Sequence, residues 1–211
     1  ESPLTQNSIA FTVMFIVSAP LWWVFEGINQ LTNNWHYVGV SHYSTLKYAL
    51  LATWNFSIVV PAVFETARLL STFKLIRRCR HGLKIPFTRG LLIVISVLGT
   101  MMIPVIALWP SYVYPLAWLS LFLILDPINF LMDRPSIARN LQNGDWRNVI
   151  TFALGALICG WFWEMWNFQA LPKWEYSIPY LEFGRIFEMP VLGYLGYLPF
   201  GLEVYVGCHF I

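Results

Sequence analysis

Four glutamates, Glu26, Glu65, Glu164 and Glu203, fall inside apolar stretches long enough to cross a bilayer. A charge at the centre of a membrane helix costs roughly 2.5–3.5 kcal/mol on insertion scales, so each acid needs either a partner or a task. They also recur in step with other residues. Reading forward from Glu26 the chain gives Asn29, Trp35, Tyr37, Pro61 and Glu65; from Glu164 it gives Asn167, Trp174, Tyr176, Pro199 and Glu203. The spacings differ by one residue in two places, and the differences cancel. Such a series reads as an internal repeat.

Glu26 and Asn29 share one helix face by their spacing, as do Glu164 and Asn167. A carboxylate beside a carboxamide can orient a water or hold a proton. It can equally bind the backbone of the loop that follows and anchor Trp35 and Trp174. Glu203 lies deepest, about 13 residues or ~20 Å into its span. No cation stands within a turn or two of it in sequence, which makes it the leading candidate for a neutral, proton-donating acid. Glu164, Asn167, Glu26 and Asn29 are the other catalytic candidates. Pro199, one turn ahead, frees the carbonyl of Leu195 for polar contacts. Glu65 has Arg68 three positions on, so a structural ion pair is expected there. Asp126, ahead of Pro127 and Asn129, reads as a helix end or as an acid facing an inner arginine such as Arg68.

Trp22, Trp23, Trp161, Trp163 and Trp166 gather at the outer ends of two spans. An interfacial aromatic belt accounts for each of them singly. Together they could wall an apolar pocket and stabilise a cationic intermediate through their ring faces. His36, His42, His81 and His209 form no recognised metal spacing, and Cys79, Cys159 and Cys208 form no paired motif. Phosphate loops, serine elbows and Asp-rich diphosphate motifs are also missing. No metal and no cofactor is expected.

The elements that must hold these residues are helical. Of 211 residues 57% are hydrophobic and 11% charged, against about 25% charged in an average soluble domain. Such a chain cannot build a charged surface, and it reads as an all-α, polytopic membrane bundle in one domain. Six stretches have the ~20 residues needed to span: 9–30, 46–70, 90–109, 112–131, 149–171 and 190–211. The repeat units cover about 9–72 and 149–211, joined by a helical hairpin over about 90–131 that turns at Trp109-Pro110. Of the thirteen Lys and Arg, all but Lys47, Lys173 and Arg185 lie at one side. The positive-inside rule therefore puts loops 73–89 and 133–148 in the cytoplasm and the two Trp-x-Tyr loops outside. Both repeat units then point the same way, related by a two-fold along the membrane normal. The chain starts at Glu1 without a signal-peptide layout, and an N-terminal part is expected to precede it. A net charge of +2 gives no reason to expect nucleic acid as a partner.

The runs Trp163-Glu164-Met165-Trp166-Asn167, Trp174-Glu175-Tyr176, Phe187-Glu188-Met189-Pro190 and Pro199 to Glu203 resemble a family of uncharacterised bacterial polytopic membrane proteins. The resemblance covers most of the chain and implies a bacterial inner-membrane location with further helices upstream, but no activity. The chain is also similar to heterodimeric-type lycopene cyclases, small membrane proteins with repeated helical units, Trp-rich segments and a Pro-x-Glu-Glu signature. Here Pro61 to Glu65 and Pro199 to Glu203 read Pro-x-x-x-Glu, without the adjacent acid pair. That similarity implies a proton-initiated isoprenoid or carotenoid cyclase or isomerase.

Three functions follow as expectations. The first is such an enzyme, with a membrane lipid or isoprenoid as its partner and Glu203 or Glu164 as proton donor. The second is a non-catalytic integral subunit among partner membrane subunits of a photosynthetic or respiratory assembly. The third is a transporter, favoured by the repeat but opposed by its parallel sense.

Overall fold

The computed structural model describes residues 7–181 and 183–211 and is an all-α bundle. Six spans among the described residues are long and apolar enough to cross a membrane, and they fall on the six expected stretches. The chain is therefore a multi-pass membrane protein. In order it forms α1 (Ser8–Thr32), β1 (Trp35–Val38), α2 (Thr45–Phe56), α3 (Val59–Ser71), α4 (Lys74–Arg78), α5 (Arg89–Leu108) and α6 (Pro110–Val113). There follow α7 (Ala117–Leu131), α8 (Ile137–Gln142), α9 (Arg147–Phe168), β2 (Lys173–Tyr176), β3 (Arg185–Ile186), β4 (Met189–Pro190), a 3₁₀ segment Val191–Gly196 and α10 (Tyr197–Phe210).

The second and sixth spans are each broken where a single helix was expected. Pro61 and Pro199 sit in the first turn of α3 and α10, where a missing N–H costs least. Ahead of Pro61, backbone groups around Ser57 lose their helical partners. Ser18 of α1 takes up two of them: its hydroxyl donates to the Phe56 carbonyl at 2.5 Å and accepts from the Val60 amide at 3.0 Å. Ahead of Pro199 the chain instead runs as the 3₁₀ segment.

The core gathers around α1, α3, α9 and α10, with α7 against α10 and the α5–α7 hairpin outside. Close approach sets the α9–α10 seam. A Cβ at Gly201 would stand 2.1 Å from the Phe152 carbonyl oxygen, so no larger residue fits there. Phe25, Val60, Val63, Phe200, Val204 and Val206 fill the centre.

On the basic side the two loops are zipped together. Gly82 N donates to Gly144 O at 2.8 Å, Ile85 N to Leu141 O at 3.1 Å, and Trp146 N to Cys79 O at 2.9 Å. Asp126 turns out to serve this loop rather than an arginine. Its two oxygens accept from the amides of Ile137 (2.6 Å) and Ala138 (2.9 Å), fastening the start of α8 to the inner end of α7. Asn129, one turn on, donates to the Val206 carbonyl at 2.9 Å. Of the expected pair Glu65 and Arg68, Glu65 is half-buried and Arg68 lies on the exposed side of α3.

Candidate functional site

The outer ends of α1 and α9 each run into a strand, and the two strands pair with one another. In this antiparallel ribbon Trp35 stands opposite Tyr176 and Tyr37 opposite Trp174, with His36 and Glu175 at the centre. The ribbon is fastened from below by matching sets of contacts. Asn29 donates to the Trp35 carbonyl at 2.8 Å and accepts from the amides of Asn34 and Trp35. Asn167 donates to the Trp174 carbonyl at 2.7 Å and accepts from the Trp174 amide at 2.8 Å. Both asparagines are thus anchors of the loop backbone.

The glutamates hold the side chains of the same strands. Glu26 Oε1 accepts from the Trp22 indole (3.0 Å), the Trp35 indole (3.2 Å) and the Tyr37 hydroxyl (2.6 Å). Glu164 Oε1 accepts from the Trp174 indole (3.4 Å), the Tyr176 hydroxyl (2.6 Å) and the Tyr197 hydroxyl (2.7 Å). Glu164 Oε2 is buried and has no hydrogen-bond partner among the described residues.

The third donor differs for a steric reason. Trp22 lies four residues ahead of Glu26; the residue four ahead of Glu164 is Gly160. A Cβ at Gly160 would sit 2.5 Å from the Tyr197 ring, so the missing side chain leaves the space that the ring occupies. Tyr197 in turn lies two residues ahead of Pro199, where the first half has Val59 ahead of Pro61. The third donor to Glu164 is thus a phenol from the neighbouring helix, whereas that to Glu26 is an indole from its own helix. Burial, then the Glu26 carboxylate, push the Tyr37 hydroxyl well above its ordinary range. Burial does the same to Tyr176, with Tyr197 and Glu164 adding to it.

Beneath the ribbon lies a cavity of about 770 Å³, inside the ~300–1,000 Å³ range of small-molecule sites. Its walls come from both halves and from α7. Tyr37, Tyr176 and Tyr197 line it, each with its hydroxyl turned to a glutamate that does not line it. The carboxylates therefore meet the cavity through phenols. At its floor Phe200 packs on Trp22, Phe25 and Trp118, with ring centroids 5.4–6.0 Å apart. Lys173 is the one charged residue among the described lining residues, and its ammonium lies 2.5 Å from Glu188 and 3.2 Å from Glu175. Those carboxylates, Glu188 first, hold the lysine above its ordinary range.

Of the five tryptophans expected to wall a pocket, Trp22, Trp163 and Trp166 line the cavity. Trp23 does not: it packs on Phe56 and donates to Thr53 Oγ1 at 3.0 Å. Trp161 packs against Phe187 and Tyr194 instead. Glu203 does not reach the cavity either. It is fully buried one turn below Phe200, and neither of its oxygens has a hydrogen-bond partner among the described residues. Tyr197 and Trp118 were missed from sequence. Trp118 carried a usable signal, because it lies well inside its span, too deep for an interfacial belt.

No family model, curated protein or solved structure matches this chain.

Proposed function

We propose that this chain is a bacterial inner-membrane enzyme that holds an isoprenoid of the carotenoid type between its two halves and begins an isomerisation or cyclisation by proton transfer. The observation that carries this reading is the aromatic cavity in which three lining tyrosines, Tyr37, Tyr176 and Tyr197, lean on the buried Glu26 and Glu164. The two halves are copies of one unit, a reading supported by their matching hydrogen bonds and by the symmetric register of the ribbon. Loops 73–89 and 133–148 face the cytoplasm, and the ribbon faces outward.

The chemistry asks for little beyond these groups. A proton passed from Glu164 through Tyr197 or Tyr176 to one carbon of a double bond forms a C–H bond from the π pair and leaves a cation on the other carbon. Ring faces of Trp118, Trp163 and Phe200 stabilise that cation. Loss of a proton from a neighbouring carbon to the same relay restores a double bond, so atoms and charge balance without a redox partner. General-acid help of this kind contributes roughly 10²–10⁴-fold in rate. Glu26, with two indoles and one phenol, serves the opposite wall.

The test is expression in a lycopene-accumulating host, with pigments separated by chromatography and weighed. The reading expects a new pigment of unchanged mass, lost in Glu164→Gln. An unaltered pigment profile with well-inserted protein would overturn it.

A further inference from the structure

We infer that the cavity fills sideways, from the outer leaflet of the bilayer, through two apolar flanks beneath the ribbon. This rests on the proposed function in taking the ligand to be a membrane lipid, and it adds the route.

Two observations meet here. The ribbon on the aqueous side is fastened in place. Trp35 is 8% exposed, Tyr37, Trp174 and Tyr176 are half-buried, and the ribbon they form is tied down by Asn29, Asn167, Glu26 and Glu164. Lifting it means breaking buried hydrogen bonds, each made to a group that would be left unsatisfied. The only charge among the described lining residues, Lys173, is already engaged by two carboxylates, so little is left there to draw a charged solute from water.

The flanks are different. Leu51, Ile58, Leu119, Leu192 and Leu195 line the cavity, yet each is 38–59% exposed on the surface of the chain. Leu51 and Ile58 belong to α2 and its break; Leu192, Leu195 and Leu119 belong to the 3₁₀ segment and the neighbouring α7. Counting rise along each element, Leu195, Leu51, Leu119 and Ile58 lie from about 8 to 20 Å below the outer ends of their spans, and Leu192 lies about 2 Å below. The midplane of a bilayer of ~40 Å with its head groups lies at ~20 Å. The side chains of Leu51, Ile58, Leu119 and Leu195 are therefore immersed in acyl chains on one side and bound the cavity on the other. Passing them needs only rotamer changes of leucine and isoleucine.

Uptake of geranylgeraniol from phosphatidylcholine vesicles, followed by the quenching of tryptophan fluorescence, tests the route. The paired substitution Ile58→Trp with Leu195→Trp narrows both flanks at lipid-facing positions that tolerate an indole. The paired substitution His36→Cys with Glu175→Cys, at ribbon positions that face each other and do not line the cavity, locks the ribbon once oxidised. We expect the tryptophan pair to slow uptake at least tenfold with an unchanged thermal midpoint, and the locked ribbon to take up the probe at the wild-type rate. The reverse pattern overturns the lateral route alone. Absence of any uptake by the wild-type protein overturns the proposed function and the route with it.

Discussion

At the scale of residues, the exchange of Trp22 for Gly160 and of Val59 for Tyr197 is the most informative difference between the halves. It keeps three donors on one oxygen of each glutamate, but changes what those donors can do. An indole N–H orients a carboxylate; a phenol can also pass a proton. Tyr197→Phe keeps the ring over Gly160 and removes one hydrogen bond to the Glu164 carboxyl, a loss of about 0.5–1.5 kcal/mol. The expected outcome is a small fall in thermal stability and a loss of at least tenfold in turnover. Gly160→Ala should act the other way round. Its methyl group would collide with the ring at 2.5 Å, and overpacking of this kind costs about 1–3 kcal/mol, read as a lowered unfolding midpoint. The glutamates and asparagines were legible in the sequence because they repeat. Tyr197 was not, because it does not repeat: its role depends on a glycine in another helix. Depth in a span says nothing of which cavity a side chain reaches, and Glu203, the deepest of the four acids, does not line this one.

Elements show what the prolines do. Pro199 was expected to free a carbonyl within its helix; it and Pro61 instead mark where a helix begins. Ser18 was invisible as a partner of the α2–α3 break because the contact crosses between helices. Ser18→Ala leaves a buried carbonyl and amide without their bridge and should cost about 1–3 kcal/mol, measured by thermal unfolding in detergent. The inner loops offer a pH test. Hydrogen bonds from Arg147 hold the Asp145 carboxyl below its ordinary range. A group depressed in the folded state adds stability that is present above its unfolded value, near ~3.9, and is lost as pH falls through the folded one. Thermal midpoints of the wild type should fall further than those of Asp145→Asn on going below about pH 4, and the gap between them should be constant from about pH 5 to 8. The basic charge of these loops predicts a cytoplasmic side for them; their zipping through Trp146 and Asp126 depends on long-range contacts that no local pattern announces.

For the whole molecule, six spans and their boundaries were readable from hydropathy, because lipid leaves the backbone no alternative to helices. The breaks and the ribbon were not, since strand pairing between the two loops joins residues far apart in the chain. Topology follows from charge asymmetry and can be checked by cysteine scanning. Single cysteines at His42 and Ser41 should react with an impermeant reagent from outside, and at Arg80 and Asn143 only from the cytoplasm; the opposite pattern would invert the chain. The central claim is that the space between the halves is a lipid site. A structure determined in nanodiscs formed from host membrane tests it most directly. Continuous elongated density along Trp118 and Phe200, reaching the hydroxyl of Tyr197, is the predicted result. A space closed by side chains packed against one another, with Tyr197 turned away from it, would contradict the account.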